Sequence, residues 1–243
     1  MTESSFPGGT SLSHLDVYEG AAPDGVCGGS PHMHLVSTEA YVVAEGHGAL
    51  QTIDGDGFRE TELAAGSVVW FTPGTIHRAV NRGGLKVVVL MSNAGLPEAG
   101  DAVMTFPAAI VADPAAYAKA SSLGDSYGRS ERAAARRDLA VAGFETLRDA
   151  LLAGDRGPLE AFRAAAGALV RDRAAAWGRL VRERPLAQAE QSIALTEAVA
   201  RGDIAHLAEA RVQQAMPSTG ERGFGMCGRL RTYDVTDYKE ILQ

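Results

Sequence analysis

The 243-residue chain has no apolar run able to cross a bilayer. Its longest strongly hydrophobic stretch, Val87–Met91 behind Lys86, falls far short of the ~20 residues required. It is also poor in cysteine: Cys27 and Cys227 alone make no disulfide framework, so a reduced compartment is expected. The first residues, Met1 to Gly9, offer neither a positive region nor an apolar core and do not read as a signal peptide. The expectation is a cytoplasmic protein with no membrane partner. Concentrated positive charge is missing as well. Residues 1–128 carry 5 basic and 14 acidic side chains, residues 129–214 carry 14 and 12, and the last 29 carry 4 and 4. No segment supplies the basic field that a phosphate backbone demands, so nucleic acid is not an expected partner.

What is present is a globular composition. Hydrophobic content of 46% and charged content of 22% exclude wholesale disorder, and the length suffices to bury a core. Three textures follow one another. From about Leu12 to Met91, short alternating or β-branched stretches (Ala40–Ala44, Ala49–Ile53, Ser67–Phe71, Leu85–Met91) lie between glycine-rich turns, with Asp54-Gly-Asp-Gly reading as a hairpin turn. Such spacing, without crossover helices, predicts a sandwich or barrel. Trp70 and Phe71 cannot both face inward. From Ser92 to Gly128 the chain reads as a linker or lid with one short helix, capped by Asp113 and begun by Pro114.

From Arg129 to Ala215 the period becomes helical. Leu139, Gly143, Leu147 and Leu151 with Phe144 form one stripe, and Leu159, Phe162, Ala166, Leu169 and Val170 form a second after Pro158. Pro185 is read as starting a third helix, with Leu186, Ala189, Ile193 and Ala200 inward. Asp203 is read as capping a fourth that carries Ile204, Leu207 and Arg211. Arg132, Arg136 and Arg137 read as part of a solvated face laced with ion pairs. After Pro217, Phe224–Val235 regains strand character, as a strand returning to the sheet.

Chemistry concentrates in the first half. Of the six histidines, His32 and His34 are two apart and share one face of a strand. Glu39 stands at an odd offset from His34 and joins that face only through a turn, bulge or change of strand within Leu35–Thr38. His77 follows the turn Thr72-Pro-Gly-Thr-Ile. Three imidazoles and a carboxylate suit a divalent transition ion, with coordination positions left for water or substrate if the ion is six-coordinate. Tyr41 shares the parity of Glu39, as a cavity wall or a hydrogen-bond donor to substrate. Glu98, in the glycine-flanked stretch Asn93–Asp101 after the last barrel strand, offers a carboxylate for proton transfer. Asn81 reads as structural and Cys27 as a buried free thiol.

These residues resemble a known pattern. His32-x-His34-x4-Glu39-x6-Gly46 is similar to the first conserved motif of the cupin superfamily, with Val26 where that motif opens on glycine. Gly66-x5-Thr72-x-Gly74-x2-His77-x3-Asn81 is similar to the second, with Thr72 at the usual proline and Pro73 one place later. Nineteen residues separate Gly46 from Gly66, as in short microbial cupins.

The resemblance implies a mainly β double-stranded β-helix, or jelly-roll barrel, over residues 10–95. A linker or lid at 96–128, a helical cap or dimerisation region at 129–215 and a terminal strand segment at 216–243 complete the expected layout. By resemblance the ligands of one divalent transition metal (Fe, Mn, Ni, Cu or Zn) fall on His32, His34, Glu39 and His77. The implied activity is Lewis-acid chemistry on a sugar-like or keto-acid substrate through an enolate or enediolate: isomerisation, epimerisation or decarboxylation. An Fe(II)-dependent dioxygenase and a non-catalytic small-molecule sensor are the alternatives, and a homodimer is the expected assembly. Some regulators join such a barrel to a helical DNA-binding module, but this helical half has no helix-turn-helix signature.

Overall fold

The glycine-punctuated first half folds as antiparallel strands: β1 (Ser11–Val17), β2 (His32–His34), β3 (Glu39–Ile53), β4 (Phe58–Ala64), β5 (Val68–Phe71), β6 (Ile76–Met91) and β7 (Ala102–Met104). The computed structural model describes residues 6–124, 127–235 and 239–240. Ala40–Ala44 and Ala49–Ile53, separate stretches in the sequence, are the two halves of β3, and Leu85–Met91 is only the second half of β6. The halves of β3 join through register shifts between Val43 and Gly48. Gly46 makes this bend possible. It sits at φ 72°, and a Cβ there would lie 2.2 Å from the Gly84 carbonyl oxygen on β6. Asn81 locks the matching bend in β6, donating to Val17 O and accepting from the Gly83 and Leu85 amides.

The paired β3 and β6 form a long ribbon shared by two sheet halves. At one end β5 and β1 flank it; at the other, β4 and β2 do, with β7 beyond β2. The β3–β4 hairpin turns through Asp54–Gly57, as the Asp-Gly-Asp-Gly sequence predicts. Between the halves lies a core of Leu15, Val17, Tyr41, Val43, Leu50, Phe71, Leu85, Val87, Val89 and Met91. Phe71 belongs to that core while Trp70 is 70% exposed on the outer face.

Six α-helices follow among the described residues: α1 (Ala108–Val111), α2 (Pro114–Ser121), α3 (Arg129–Leu152), α4 (Gly157–Ala174), α5 (Trp177–Val181) and α6 (Ala187–Ala200). Asp113 caps α2 by accepting from the Ala115 and Ala116 amides. A second core joins Phe144, Leu147, Leu159, Phe162 and Val170 of α3 and α4 to Met33, Ile53, Ile76 and Val103, on the outer face of the β2–β6–β3 end of the barrel. Beyond α6 come β8 (Gln213–Gln214), β9 (Gly223–Phe224), β10 (Gly228–Thr232) and β11 (Lys239–Glu240); β11 pairs β8. As the sequence predicts, the terminal segment returns: β10 lies antiparallel to β1, with Leu15 opposite Leu230. No helix among the described residues is long and apolar enough to cross a membrane.

Three helical expectations need correction. Pro185 does not start a helix but sits inside a wide turn, Arg182–Leu186, that carries α5 into α6. It packs so closely on Gly9 that a Cβ there would lie 2.6 Å from the Pro185 nitrogen. No residue of α6 is buried, and Leu186, Ala189, Ile193 and Ala200 all lie exposed, Ile193 at 60%. Residues 203–211 make no fourth α-helix, only a 3-10 turn at Ala205–Glu209 with Ile204 and Leu207 exposed, because no apolar surface lies beneath them. Arg136 and Arg137 are buried rather than solvated. Arg136 donates to Gly225 O, and Arg137 donates to Gly20 O and Ala21 O, fastening α3 to the barrel.

Gly143 marks the closest approach of α3 to the sheet: a Cβ there would stand 1.9 Å from Thr105 O. Gly143→Ala is expected to lower stability by about 2–3 kcal/mol in urea denaturation, because backbone must move to admit the methyl. Gly167 lies in α4 with nothing within 4 Å of its Cβ direction. Gly167→Ala is expected to raise stability by about 0.5–1 kcal/mol in the same assay.

Candidate metal centre

Strand alternation builds the site. On β2, Met33 points into the helix-facing core while His32 and His34 point into the barrel; on β6, Ile76 points out and His77 in. His32 and His77 are direct cross-strand partners, with ring centroids 4.1 Å apart. The odd offset of Glu39 is resolved by a bend after His34. There the amides of Leu35 and Val36 donate to Asp101 Oδ1 at 3.0 and 2.8 Å, and that of Ser37 donates to Oδ2 at 2.9 Å. The chain leaves β2 and enters β3 with Glu39 facing the imidazoles.

The structure brings together all four residues singled out for metal binding. One donor atom each from His32, His34, Glu39 and His77 lies within 4.8 Å of the others, and all four side chains are buried. Glu39 Oε2 is 3.2 Å from His34 Nε2 and 3.1 Å from His77 Nε2. Each Nδ1 faces an acceptor on the barrel wall: Ser30 O at 2.9 Å for His32, Thr75 O at 3.3 Å for His77, and Asp101 Oδ2 at 3.4 Å for His34. That leaves the Nε2 atoms of His34 and His77 toward the carboxylate. His34 Nδ1, Glu39 Oε2 and His77 Nε2 are buried without any well-formed hydrogen bond. Buried polar atoms left unpaired are costly, and a divalent cation shared by these donors removes that cost. The donor set fits such an ion.

Electrostatics divides the imidazoles. Burial, reinforced by neighbouring His77 and His34, holds the His32 pKa well below its usual range. Burial also pulls His34 down, but the Asp101 and Glu39 carboxylates outweigh it and raise His34 from 6.5 to about 9. For Glu39, burial pushes upward and is overcome by His77 and His34, leaving the carboxyl well below its ordinary value.

A cavity of about 140 Å³ opens onto the cluster, lined by His32, His34 and Glu39 and by Ser11, Ser13, Leu15, Val89, Met91, Glu98, Met226, Cys227, Leu230, Thr232 and Tyr233 among others. Glu98 is at this lining and exposed. Tyr41 stands behind it, fully buried, with its hydroxyl 3.8 Å from Cys227 Sγ. Burial, then Cys227 and Glu39, push its pKa well up. The cysteine reading needs correction: Cys27 is only half-buried, and the thiol at the site is Cys227, 3.9 Å from His32 Nδ1, with its pKa pushed by burial to about 12. Cys227 reaches the site on the returning segment, 195 residues beyond His32, and only the strand character of that segment hinted at it. Asp101 closed the stretch Asn93–Asp101 but was given no role there: a lone acid among glycine and alanine carries no periodic signal.

Residues 20–93 match the family model described as the cupin domain. No curated protein matches the chain. Among solved structures, the chain is similar to a Streptomyces Pac13 variant solved with uridine (13% identity, 37% of this chain and 64% of that one, TM-score 0.28); another Pac13 structure is described as that of a nucleoside dehydratase. It is similar to the capsular polysaccharide assembling protein CapF of Staphylococcus aureus (19%, 34% and 23%, TM-score 0.26). It is also similar to an uncharacterised Klebsiella pneumoniae protein with a double-stranded β-helix domain (22%, 34% and 62%, TM-score 0.24). In each case the match spans less than two thirds of the relative's length.

Because His34 holds its proton up to about pH 9, an ion must displace it. Divalent-ion affinity is therefore expected to rise from pH 6.5 toward pH 9. Calorimetry with Ni(II) at pH 7, in buffers of different ionisation heat, should show about one proton released from His34; affinity flat across that range contradicts the assignment. For the ion-free fold the sign reverses. A raised folded pKa gives stability that is full below pH 6.5 and is lost as the pH climbs through about 9.

Proposed function

The chain carries a cupin domain and belongs to the cupin superfamily, and from that premise we propose that its barrel houses a metal-dependent enzyme site for a small oxygenated molecule, with isomerase, epimerase or decarboxylase-type chemistry. The observation that carries this reading is the convergence of four buried donors, three with unpaired atoms, beside a cavity that His32, His34 and Glu39 line. An ion held by His32, His34, Glu39 and His77 supplies Lewis acidity to oxygen atoms of the bound molecule.

The chain's own residues do the rest. Leu15, Val89, Met91 and Leu230 give the cavity apolar walls that exclude water, while Ser11, Ser13, Thr232 and Tyr233 bring hydroxyl groups that match those of a polyol or hydroxyketone. At about 140 Å³ the space lies below the usual ~300–1,000 Å³ of ligand pockets, which favours a small molecule. Glu98, exposed at the lining, is the proton carrier of this reading: it takes a proton from the substrate and returns it to another atom.

Elemental analysis of protein purified without added metal is expected to find close to one transition ion per chain, and His77→Ala is expected to fall to background while keeping its circular dichroism. Equal metal content in the two would falsify the assignment. On a panel of hydroxyaldehydes, hydroxyketones and keto acids, conversion without O₂ supports the proposed chemistry, and Glu98→Gln should lower kcat about 100-fold with KM little changed. Conversion only with O₂ assigns the site to oxidative chemistry, and binding without conversion makes it a sensor.

A further inference from the structure

One buried carboxylate belongs to neither the donor set nor the cavity lining. Asp101 is 0% exposed. Its oxygens accept from three successive amides, Leu35, Val36 and Ser37, and Oδ2 also stands 3.4 Å from His34 Nδ1. A buried carboxylate without such partners is expensive, so the three amide bonds are a fixed fit, and they set the carboxylate at ion-pair distance from His34 Nδ1, which has no formed hydrogen bond of its own. Asp101 is itself held from three sides. Its neighbour Ala102 pairs with His34 across β7 and β2, the Asp101 amide donates to Leu96 O, and Trp177 of α5 donates its indole N–H to Ala99 O.

We propose that Asp101 is the positioning residue of the metal centre: its carboxylate holds His34 with Nδ1 protonated and Nε2 free for the ion, and by the same grip bends the chain so that Glu39 meets His34. The inference deepens the metal-site reading and rests on it. A carboxylate behind a ligating imidazole fixes ring rotation and tautomer together and raises ligand basicity. Here it does more, because the residues it grips are three of the four that separate two ligands on different strands. It also gives the helices a route to the site. None of them lines the cavity, yet α5 holds the segment that ends at Asp101.

The test compares wild type, Asp101→Asn and Ser92→Ala. Asparagine keeps the volume but offers one acceptor oxygen; either its NH₂ opposes the Ser37 amide and His34 Nδ1–H, or, flipped, it opposes the Leu35 and Val36 amides. Ser92→Ala loosens the same connection by removing the bond from the Thr38 amide to Ser92 Oγ, without touching His34. Calorimetric Ni(II) affinity is expected to fall 10–100-fold in D101N and to stay within about twofold in S92A. In Zn(II)-loaded, ¹⁵N-histidine-labelled wild type, His34 should show a downfield, slowly exchanging Nδ1–H, assigned through its contact with the Leu35 amide; in D101N that signal should shift or vanish. Wild-type affinity in D101N, or equal weakening in S92A, overturns the proposal. Should D101N not fold, the wild-type spectrum alone decides, and a His34 that carries its proton on Nε2 or lacks the Nδ1–H overturns it. Wild type that takes up no ion is a different failure, removing the metal centre itself and this inference with it.

Discussion

A β-strand presents alternate side chains to opposite faces, and the pairing of His32 with His77 across β2 and β6 uses both faces at once. Inward, the two strands deliver imidazoles to the barrel. Outward, Met33 and Ile76 are buried at 3% and 0% exposure in the core shared with α3 and α4. The packing that holds the helices against the sheet is therefore the packing that fixes the depth and direction of the donors. A slip of one residue in either strand would bury a methionine or isoleucine among charges and turn an imidazole into an apolar core.

The electrostatic arrangement follows from that geometry. Concentrating three imidazoles around one carboxylate inside a barrel sets burial against mutual attraction, and the outcome differs by position. His34 faces two carboxylates and keeps its proton; His32, with a backbone carbonyl as its wall partner, does not. The buried Arg78–Asp24 pair beside the site faces the other way, with Arg78 donating to Asp24 and to Val26 O, so its charge is neutralised locally instead of being offered to the cavity.

Much of this was legible in the sequence, for identifiable reasons. Period-two parity placed His32 and His34 together, glycine punctuation marked the barrel turns, and Asp113-Pro114 announced a capped helix. Parity also flagged that Glu39 needed a break after His34, but not what holds the break, because Asp101 acts through amides 64 to 66 residues away. Helical periodicity found the buried stripes of α3 and α4. It failed at α6, whose apolar residues meet no buried surface on any face of the helix. Arginine patterning failed at Arg136 and Arg137 because a guanidinium that caps backbone carbonyls looks, in sequence, like one bound for solvent.

The return of β10 to β1 has a temporal meaning. All four donors lie between residues 32 and 77, whereas much of the opposite cavity wall comes from residues 225–233, pinned through pairs such as Leu15 with Leu230. Contacts of such high sequence separation close late, after the entropy of a long loop has been lost. As the polypeptide emerges from the ribosome, the four donor positions are therefore synthesised long before the wall that faces them.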